Sequence, residues 1–188
     1  MVTDRVWGLP PEGRVKSGAA GYGRAMTVSA PTAADLPYLR RCVDLARAAL
    51  DDADEPFGSL LVHEGGIVFE DRNRVSGGDA TRHPEFEIAR WAAEHLAPAE
   101  RAAAVTYTSG EHCAMCSAAH AWVGLGRIVY AGSTEQLVAW HAEWGVAPSP
   151  VAPLPIHAVA PTVPVAGPEP SLADELRILH ARAAGVDA

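Results

Sequence analysis

Two short motifs in the chain combine residue types that bind zinc. His83-Pro84-Glu85 and Cys113-Ala114-Met115-Cys116 each stand at the start of a predicted helix. One imidazole and two thiolates give the three protein ligands of a hydrolytic zinc site and leave a fourth position for water. Cysteines three apart on a helix share a face, and helix N-termini favour anionic groups, so both thiols are expected to ionise readily. The sequence therefore predicts a Zn²⁺ site with His83, Cys113 and Cys116 as its ligands.

Glu85 adds a proton-transfer group beside this predicted site. It stands two positions after His83, where it can lie near the metal without binding it. Zinc lowers the pKa of a bound water towards about 7, and a neighbouring carboxylate can take the proton of that water and return it to a substrate. A site that only stabilised the fold would not need this carboxylate. The pattern therefore predicts catalysis, with Glu85 as the proton shuttle.

Together the motifs resemble the signature of the cytidine and deoxycytidylate deaminase superfamily, which is H-x-E followed by P-C-x-x-C. The resemblance extends from about residue 57 to residue 131 and is closer to the branch that contains bacterial guanine deaminases and tRNA adenosine deaminases. Residues 79–85 are D-A-T-R-H-P-E where that branch often has D-P-T-A-H-A-E. Residues 108–116 match its T-x-x-E-P-C-x-M-C except at His112, where proline is usual, a departure that concerns the local turn rather than the ligand set.

The resemblance also implies four substrate-binding residues. Asn73 matches an asparagine that hydrogen-bonds the base, Phe57 lies in a segment that forms one wall of the pocket, and Trp122 matches a tryptophan of guanine deaminases. Glu143 lies near a second carboxylate that relays a proton in some of those enzymes. The alternatives are a turn-forming asparagine, a tryptophan that packs in the core and, favoured for Glu143, a solvated glutamate at a helix end.

The elements that must position these motifs follow from hydrophobic periodicity and turn residues. The predicted order is a helix at 33–51, strands at 58–63 and 67–69, a helix from Pro84, a strand at 105–109, a helix at 113–123, a strand at 127–131, a helix from 133 to about 143, an apolar segment at 156–160 as a candidate strand, and a helix at 172–184 capped by Ser171. This order predicts an α/β fold, a three-layer α/β/α sandwich with a mixed central sheet as in cytidine deaminases.

Length and composition favour a single domain. The 188 residues are 48% hydrophobic, which suffices for one sizeable core. Residues 1–30 are rich in glycine and proline without a sustained apolar period, and we expect a loose N-terminal extension there, followed by one deaminase domain over 31–188 with a C-terminal helical tail. Cys42 is expected in the core. The remaining histidines, which include His120, His141 and His180, show no ligand spacing and are expected on the surface or in the core.

The charge balance bears on the partners of the protein. The formal net charge is −8 and the basic residues are scattered, which argues against nucleic acid as a partner. The chain has neither a signal-like segment nor a run of about 18 apolar residues, so we expect a cytoplasmic protein with no membrane partner. A homodimer is implied by the family resemblance.

The function expected from these observations is zinc-dependent hydrolytic deamination of a free nucleobase or similar aminated heterocycle, with release of ammonia. Guanine, cytosine-like bases and aminotriazines all fit as small-molecule substrates. One alternative is a tRNA adenosine deaminase, although acidic residues crowd the segment before the predicted pocket wall, at Asp51, Asp52, Asp54 and Glu55. The other is a non-catalytic zinc-binding protein of the same fold.

Overall fold

The computed structural model describes residues 28–186, so most of the predicted N-terminal extension lies outside the described residues. The helices of this part are α1 (Leu36–Asp51), α2 (Pro84–His95), α3 (Pro98–Ala103), α4 (Ala114–Val123), α5 (Thr134–Trp144), α6 (Ile156–Val159) and α7 (Ala173–Ala184). Its strands are β1 (Gly58–His63), β2 (Gly66–Arg72), β3 (Val105–Gly110), β4 (Arg127–Gly132) and β5 (Val165–Ala166). None of these helices is long and apolar enough to cross a membrane.

The strands form one mixed sheet in the order β2-β1-β3-β4-β5. β1 is antiparallel to β2 and β3, whereas β3, β4 and β5 are parallel to one another. The carboxyl ends of β3 and β4 therefore lie at the same edge as the start of β1, with Ser59 directly opposite Thr108. Loops at this edge of an α/β sheet commonly form binding sites.

Helices cover both faces of the sheet, which confirms the predicted three-layer α/β/α sandwich. Side chains alternate along a strand, so Leu60 and Val62 of β1 pack with α1 and α7, whereas Leu61 packs with α2 on the opposite face. Cys42 is fully buried in the first of these clusters, as expected.

Gly58 sets how closely α1 approaches the start of β1. A Cβ atom at this position would lie 2.6 Å from the carbonyl oxygen of Cys42 and 2.7 Å from the backbone nitrogen of Ala46. Because these are backbone atoms, a larger residue would push α1 away from the strand that carries Ser59.

The C-terminal third of the described chain differs from the prediction. The predicted strand segment 156–160 instead contains the short helix α6 (Ile156–Val159), because Ile156 is buried with Ile128 and Tyr130 while Val165 and Ala166 pair with β4. Ser171 does not cap the last helix, which begins at Ala173 after a 3₁₀ turn at residues 170–172. The short helix α3 was not predicted.

Candidate active site

His83, Cys113 and Cys116 come together in the folded chain. Nδ1 of His83 lies 3.7 Å from the Sγ atom of each cysteine, and the three donor atoms all lie within 4.8 Å of one another. Zinc with tetrahedral bonds of about 2.0 Å to nitrogen and about 2.3 Å to sulfur would hold such atoms about 3.6 Å apart. The donor set and its spacing therefore fit a zinc ion.

Both motifs stand at helix N-termini, as predicted. His83 is the N-cap of α2, and Cys113 is the N-cap of α4, with Cys116 buried in the first turn of that helix. The first turn of a helix leaves backbone N–H groups without partners, and these favour thiolates. Pro84 fits the first turn of α2 because a proline needs no helical hydrogen bond there.

The two thiols differ in how readily they ionise. Hydrogen bonding from Cys116 lowers the pKa of Cys113 to about 4, with a further contribution from His83. The same bond, together with burial, raises the pKa of Cys116 well above its usual value. Cys113 therefore ionises readily, as expected, whereas Cys116 does not do so without a bound metal. Metal binding displaces such a shared proton.

Glu85 lies beside the ligands and is almost fully enclosed, with 6% of its surface exposed. Oε1 accepts hydrogen bonds from the hydroxyl groups of Ser59, at 2.8 Å, and Thr108, at 3.0 Å. The Cys116 thiol lies 3.6 Å from the other oxygen, Oε2. Burial raises the pKa of the Glu85 carboxyl group, and the hydrogen bond from Ser59 opposes that shift. A raised pKa brings a carboxyl group closer to the range in which it can accept and return a proton near neutral pH.

The hydroxyl pair that holds Glu85 was missed in the sequence. Ser59 and Thr108 face each other across β1 and β3, and their side-chain oxygens lie 2.9 Å apart. The Thr108 hydroxyl also lies 2.9 Å from the carbonyl oxygen of Gly110, so its single proton can be donated there or to Glu85. The sequence offered only a hydroxyl residue in each of two buried strands, without the register that pairs them.

Glu111 anchors the loop that carries Cys113. Its two carboxylate oxygens accept hydrogen bonds of 2.9 Å from the backbone N–H groups of Thr134 and Ile156. These groups lie at the N-termini of α5 and α6, where a negative charge is stabilising. The sequence motif includes this glutamate but does not reveal its anchoring role, because its hydrogen-bond partners lie 23 and 45 residues away along the chain.

Two of the candidate ligands, His83 and Cys113, line a cavity of about 550 Å³. Glu55, Phe57, His83, Glu85 and Cys113 line one part of it. The rest is lined by side chains of α5, of residues 146–154 and of the last turns of α7. Phe57 thus stands in the wall of the cavity, where the family resemblance places it.

Asn73 lies behind this wall and is completely buried. Its backbone N–H donates a hydrogen bond of 2.9 Å to the carbonyl oxygen of Phe57, and its Oδ1 accepts one of 3.0 Å from the N–H of Val75. The Nδ2 group has no hydrogen-bond partner within residues 28–186. Oδ1 therefore stabilises a turn, while Nδ2 is an unused buried donor of the kind that a ligand or water usually satisfies.

The structure does not bring Trp122 or Glu143 to the cavity. Trp122 lies on α4 with 80% of its surface exposed, so it neither packs in the core nor lines the cavity. Glu143 is exposed and forms two hydrogen bonds, of 3.1 and 2.8 Å, with the guanidinium group of Arg177. The favoured alternative, a solvated glutamate at a helix end, describes Glu143 better than a proton relay.

Two histidines without ligand spacing line the cavity instead. His180 of α7 is buried, and its ring centroid lies 5.1 Å from that of Phe57. The ring centroid of His141, on α5, lies 6.3 Å from that of His180. Burial lowers the pKa of His180 to about 3, so this imidazole is neutral at physiological pH. They were missed because they come from helices far apart in the chain.

Sequence comparison identifies curated relatives with deaminase names. The chain is 35% identical over 105 residues to a probable cytosine deaminase of Schizosaccharomyces pombe, covering 55% of this chain and 64% of that protein. It is 33% identical over 96 residues to a guanine deaminase of Bacillus subtilis, covering 50% and 62%. A tRNA-specific adenosine deaminase of Agrobacterium fabrum is 33% identical over 86 residues, covering 45% and 57%. The matched regions thus span less than two thirds of these relatives.

The folds of solved deaminases agree with this one. A guanine deaminase from Nitrosomonas europaea superposes with a TM-score of 0.61 at 21% identity, covering 85% of this chain and 87% of that one. A tRNA:A34 deaminase superposes with a TM-score of 0.55 at 23% identity, covering 75% and 99%. The sequence profile of the cytidine and deoxycytidylate deaminase zinc-binding region matches residues 33–132. Because that match spans more than half of the chain and includes His83, Glu85 and both cysteines, the chain belongs to this deaminase family.

Proposed function

We propose that the protein hydrolyses the exocyclic amine of a free nucleobase or similar aminated heterocycle. Water adds to the ring carbon that bears the amine, the carbon–nitrogen bond breaks, and the products are a ring carbonyl and ammonia. Guanine, cytosine-like bases and aminotriazines are the candidate substrates. The cytosine and guanine deaminase names of two relatives support this range.

The observation that carries this proposal is the position of Glu85. Its carboxylate is buried next to three side chains suited to zinc, and Ser59 and Thr108 hold Oε1, which leaves Oε2 towards the candidate ligands. A site that served only to stabilise the fold would gain nothing from a buried, ionisable group in this place.

The chemistry needs two proton transfers, and we assign both to Glu85. The carboxylate accepts a proton from the attacking water and gives it to the ring nitrogen next to the reacting carbon. It then moves the second proton of that water to the departing amine, so that ammonia leaves and the carbonyl forms. His83, Cys113 and Cys116 would hold zinc, which supplies an activated water near neutral pH when bound.

The cavity favours a small substrate over tRNA. None of the described residues that line it is a lysine or an arginine, whereas Glu55, Glu85 and Glu111 all are lining residues. RNA recognition relies on cations that neutralise phosphates, and such groups are missing from this wall. Phe57 would contact the ring of the substrate, and Nδ2 of Asn73, which lies behind the cavity wall, would donate a hydrogen bond to it through a water molecule.

Ammonia release from a panel of compounds tests this proposal. The zinc-loaded protein is incubated with cytosine, guanine, aminotriazines and the corresponding nucleosides, and we expect ammonia from at least one of them at a rate nearly independent of moderate salt. Inosine formation in a tRNA anticodon loop, with none of the small compounds converted, would favour the tRNA deaminase alternative. A zinc-loaded protein that releases no ammonia from any of these substrates would be the non-catalytic alternative. A homodimer remains our expectation, and light scattering tests it.

A further inference from the structure

The cavity is larger than deamination of a bare base requires. At about 550 Å³ it falls within the range of roughly 300–1,000 Å³ that is typical of sites for drug-sized ligands. The candidate ligands and Phe57 occupy only one part of its wall. A base placed between them would leave the rest of the cavity to water.

That remaining part is largely apolar. Its aliphatic side chains, which we call the apolar wall, are Leu137, Val138, Val146, Val151 and Leu154. Val138, Val151 and Leu154 are 44%, 48% and 42% exposed, which is unusual for aliphatic residues that line a concave surface. Water in contact with such a surface is readily displaced by an apolar group of a ligand.

The charges around the cavity disfavour an anionic extension of the substrate. Glu55 and Glu111 are carboxylates, and among the lining residues of the described chain there is no lysine or arginine to offset them. His180, although it lines the same cavity, is held neutral by burial. A phosphate attached to the base would therefore meet two carboxylates, with His141 as the only basic side chain among the described lining residues besides His180 and the candidate ligand His83.

We infer that the natural substrate is an aminated heterocycle that carries an uncharged, apolar substituent lodged against the apolar wall. This inference rests on the proposed deamination and narrows its substrate class. The apolar wall is assigned to the substrate because it is continuous, within one cavity, with Phe57, His83 and Glu85. The ring lies at the candidate zinc site, and the substituent extends towards α5 and residues 146–154.

Two series of compounds test this inference: N1-alkylcytosines and 9-alkylguanines with hydrogen, methyl, ethyl, propyl or butyl as the substituent. The zinc-loaded wild-type protein is assayed for ammonia release. Kd is measured separately on zinc-loaded Glu85→Gln, in which bound compounds should persist unreacted. In at least one series, we expect kcat/KM to rise and Kd to fall by about fourfold for each buried methylene, the factor that corresponds to about 0.8 kcal/mol. The riboside of the same base should bind more weakly than its butyl derivative.

Val138→Asp should remove the gain with chain length, because it places a charge in the apolar wall. Ile178→Asp is the matched control, since Ile178 is also an exposed aliphatic residue on a helix, at 52%, but does not line the cavity. Deamination with the same kcat/KM for every chain length would overturn the inference and leave the proposed function standing. If affinity rose with chain length but no compound released ammonia, the proposed function would be overturned while the apolar wall would remain a ligand-binding surface. A gain that survives in Val138→Asp would also overturn the assignment of the apolar wall.

Discussion

The Ser59 hydroxyl donates a hydrogen bond of 2.8 Å to Oε1 of Glu85, across 26 residues of sequence. Thr108 reaches the same oxygen from the neighbouring strand. Each bond fixes the rotamer of a carboxylate whose other oxygen meets the reacting atoms in the proposed reaction, so we assign the two hydroxyls as positioning groups for Glu85.

Removal of one of these hydroxyls should slow turnover without loss of zinc. We expect kcat to fall by about tenfold in Thr108→Val or Ser59→Ala, since a hydrogen bond to a charged group contributes about 1.5 kcal/mol or more. Thr106→Val is the matched control, because Thr106 is equally buried on β3 and its hydroxyl has no partner in the described chain. An equal loss in the control would point to general disturbance of β3 instead.

Glu85→Gln should abolish most of the turnover without affecting zinc binding. A glutamine keeps the size and hydrogen-bonding capacity of the side chain but cannot take up a proton, so we expect full zinc content with turnover lower by about 10² to 10⁴. Glu87→Gln, two positions later in the same helical turn, should be close to wild type. If Glu85→Gln retained normal ammonia release, Glu55 and Glu111, which line the cavity, would be examined as the base before Glu143.

Zinc content tests the ligand set directly. The protein should bind about one zinc ion per chain, and Cys113→Ser and Cys116→Ser should each lose most of it, because a hydroxyl is a far poorer zinc ligand than a thiolate. Cys42→Ala serves as the control, since this third cysteine is buried away from the site and should leave the zinc content unchanged. Elemental analysis of purified variants would contradict the assignment if both serine variants kept wild-type zinc.

Glu143→Gln should retain wild-type kcat and KM. The carboxylate is exposed and paired with Arg177, and the cavity does not include it. Steady-state kinetics on the substrate found by the ammonia screen gives the answer. A drop in kcat comparable with that of Glu85→Gln would restore the proton relay that the family resemblance implied.

His120 should make the folded state less stable in mild acid. Burial lowers its pKa to about 4 in the folded chain, whereas an unfolded imidazole titrates near 6.5. Between these values the unfolded state binds a proton that the folded state does not. Protonation of His120 therefore leaves the free energy of unfolding unaffected above about pH 6.5 and lowers it as the pH falls towards 4. His120→Gln removes the titration while an amide can still donate to the Gly126 carbonyl, which Nε2 contacts at 2.9 Å. From pH 7 to 5, urea unfolding should show a loss of stability about 2 kcal/mol smaller in the variant.

Much of the fold and of the candidate zinc site could be predicted from local patterns. Helix periodicity, turn residues and strand alternation predicted the order of the major elements, and the α/β/α sandwich followed from that order. His83, Glu85, Cys113 and Cys116 could be predicted because each pair belongs to one short motif at a helix N-terminus. Within such a motif the spacing along the chain already determines the spacing in space.

The tertiary structure decided what depends on residues far apart in the chain. The pairing of Ser59 with Thr108 depends on the register of two strands, and the anchoring by Glu111 depends on where α5 and α6 begin. Trp122 and Glu143 are helical residues whose neighbours depend on how the helices pack, so motif position alone could not decide whether they reach the cavity. A sequence specifies which face a residue takes on its own helix or strand, but the contacts across elements follow only once the whole core has packed.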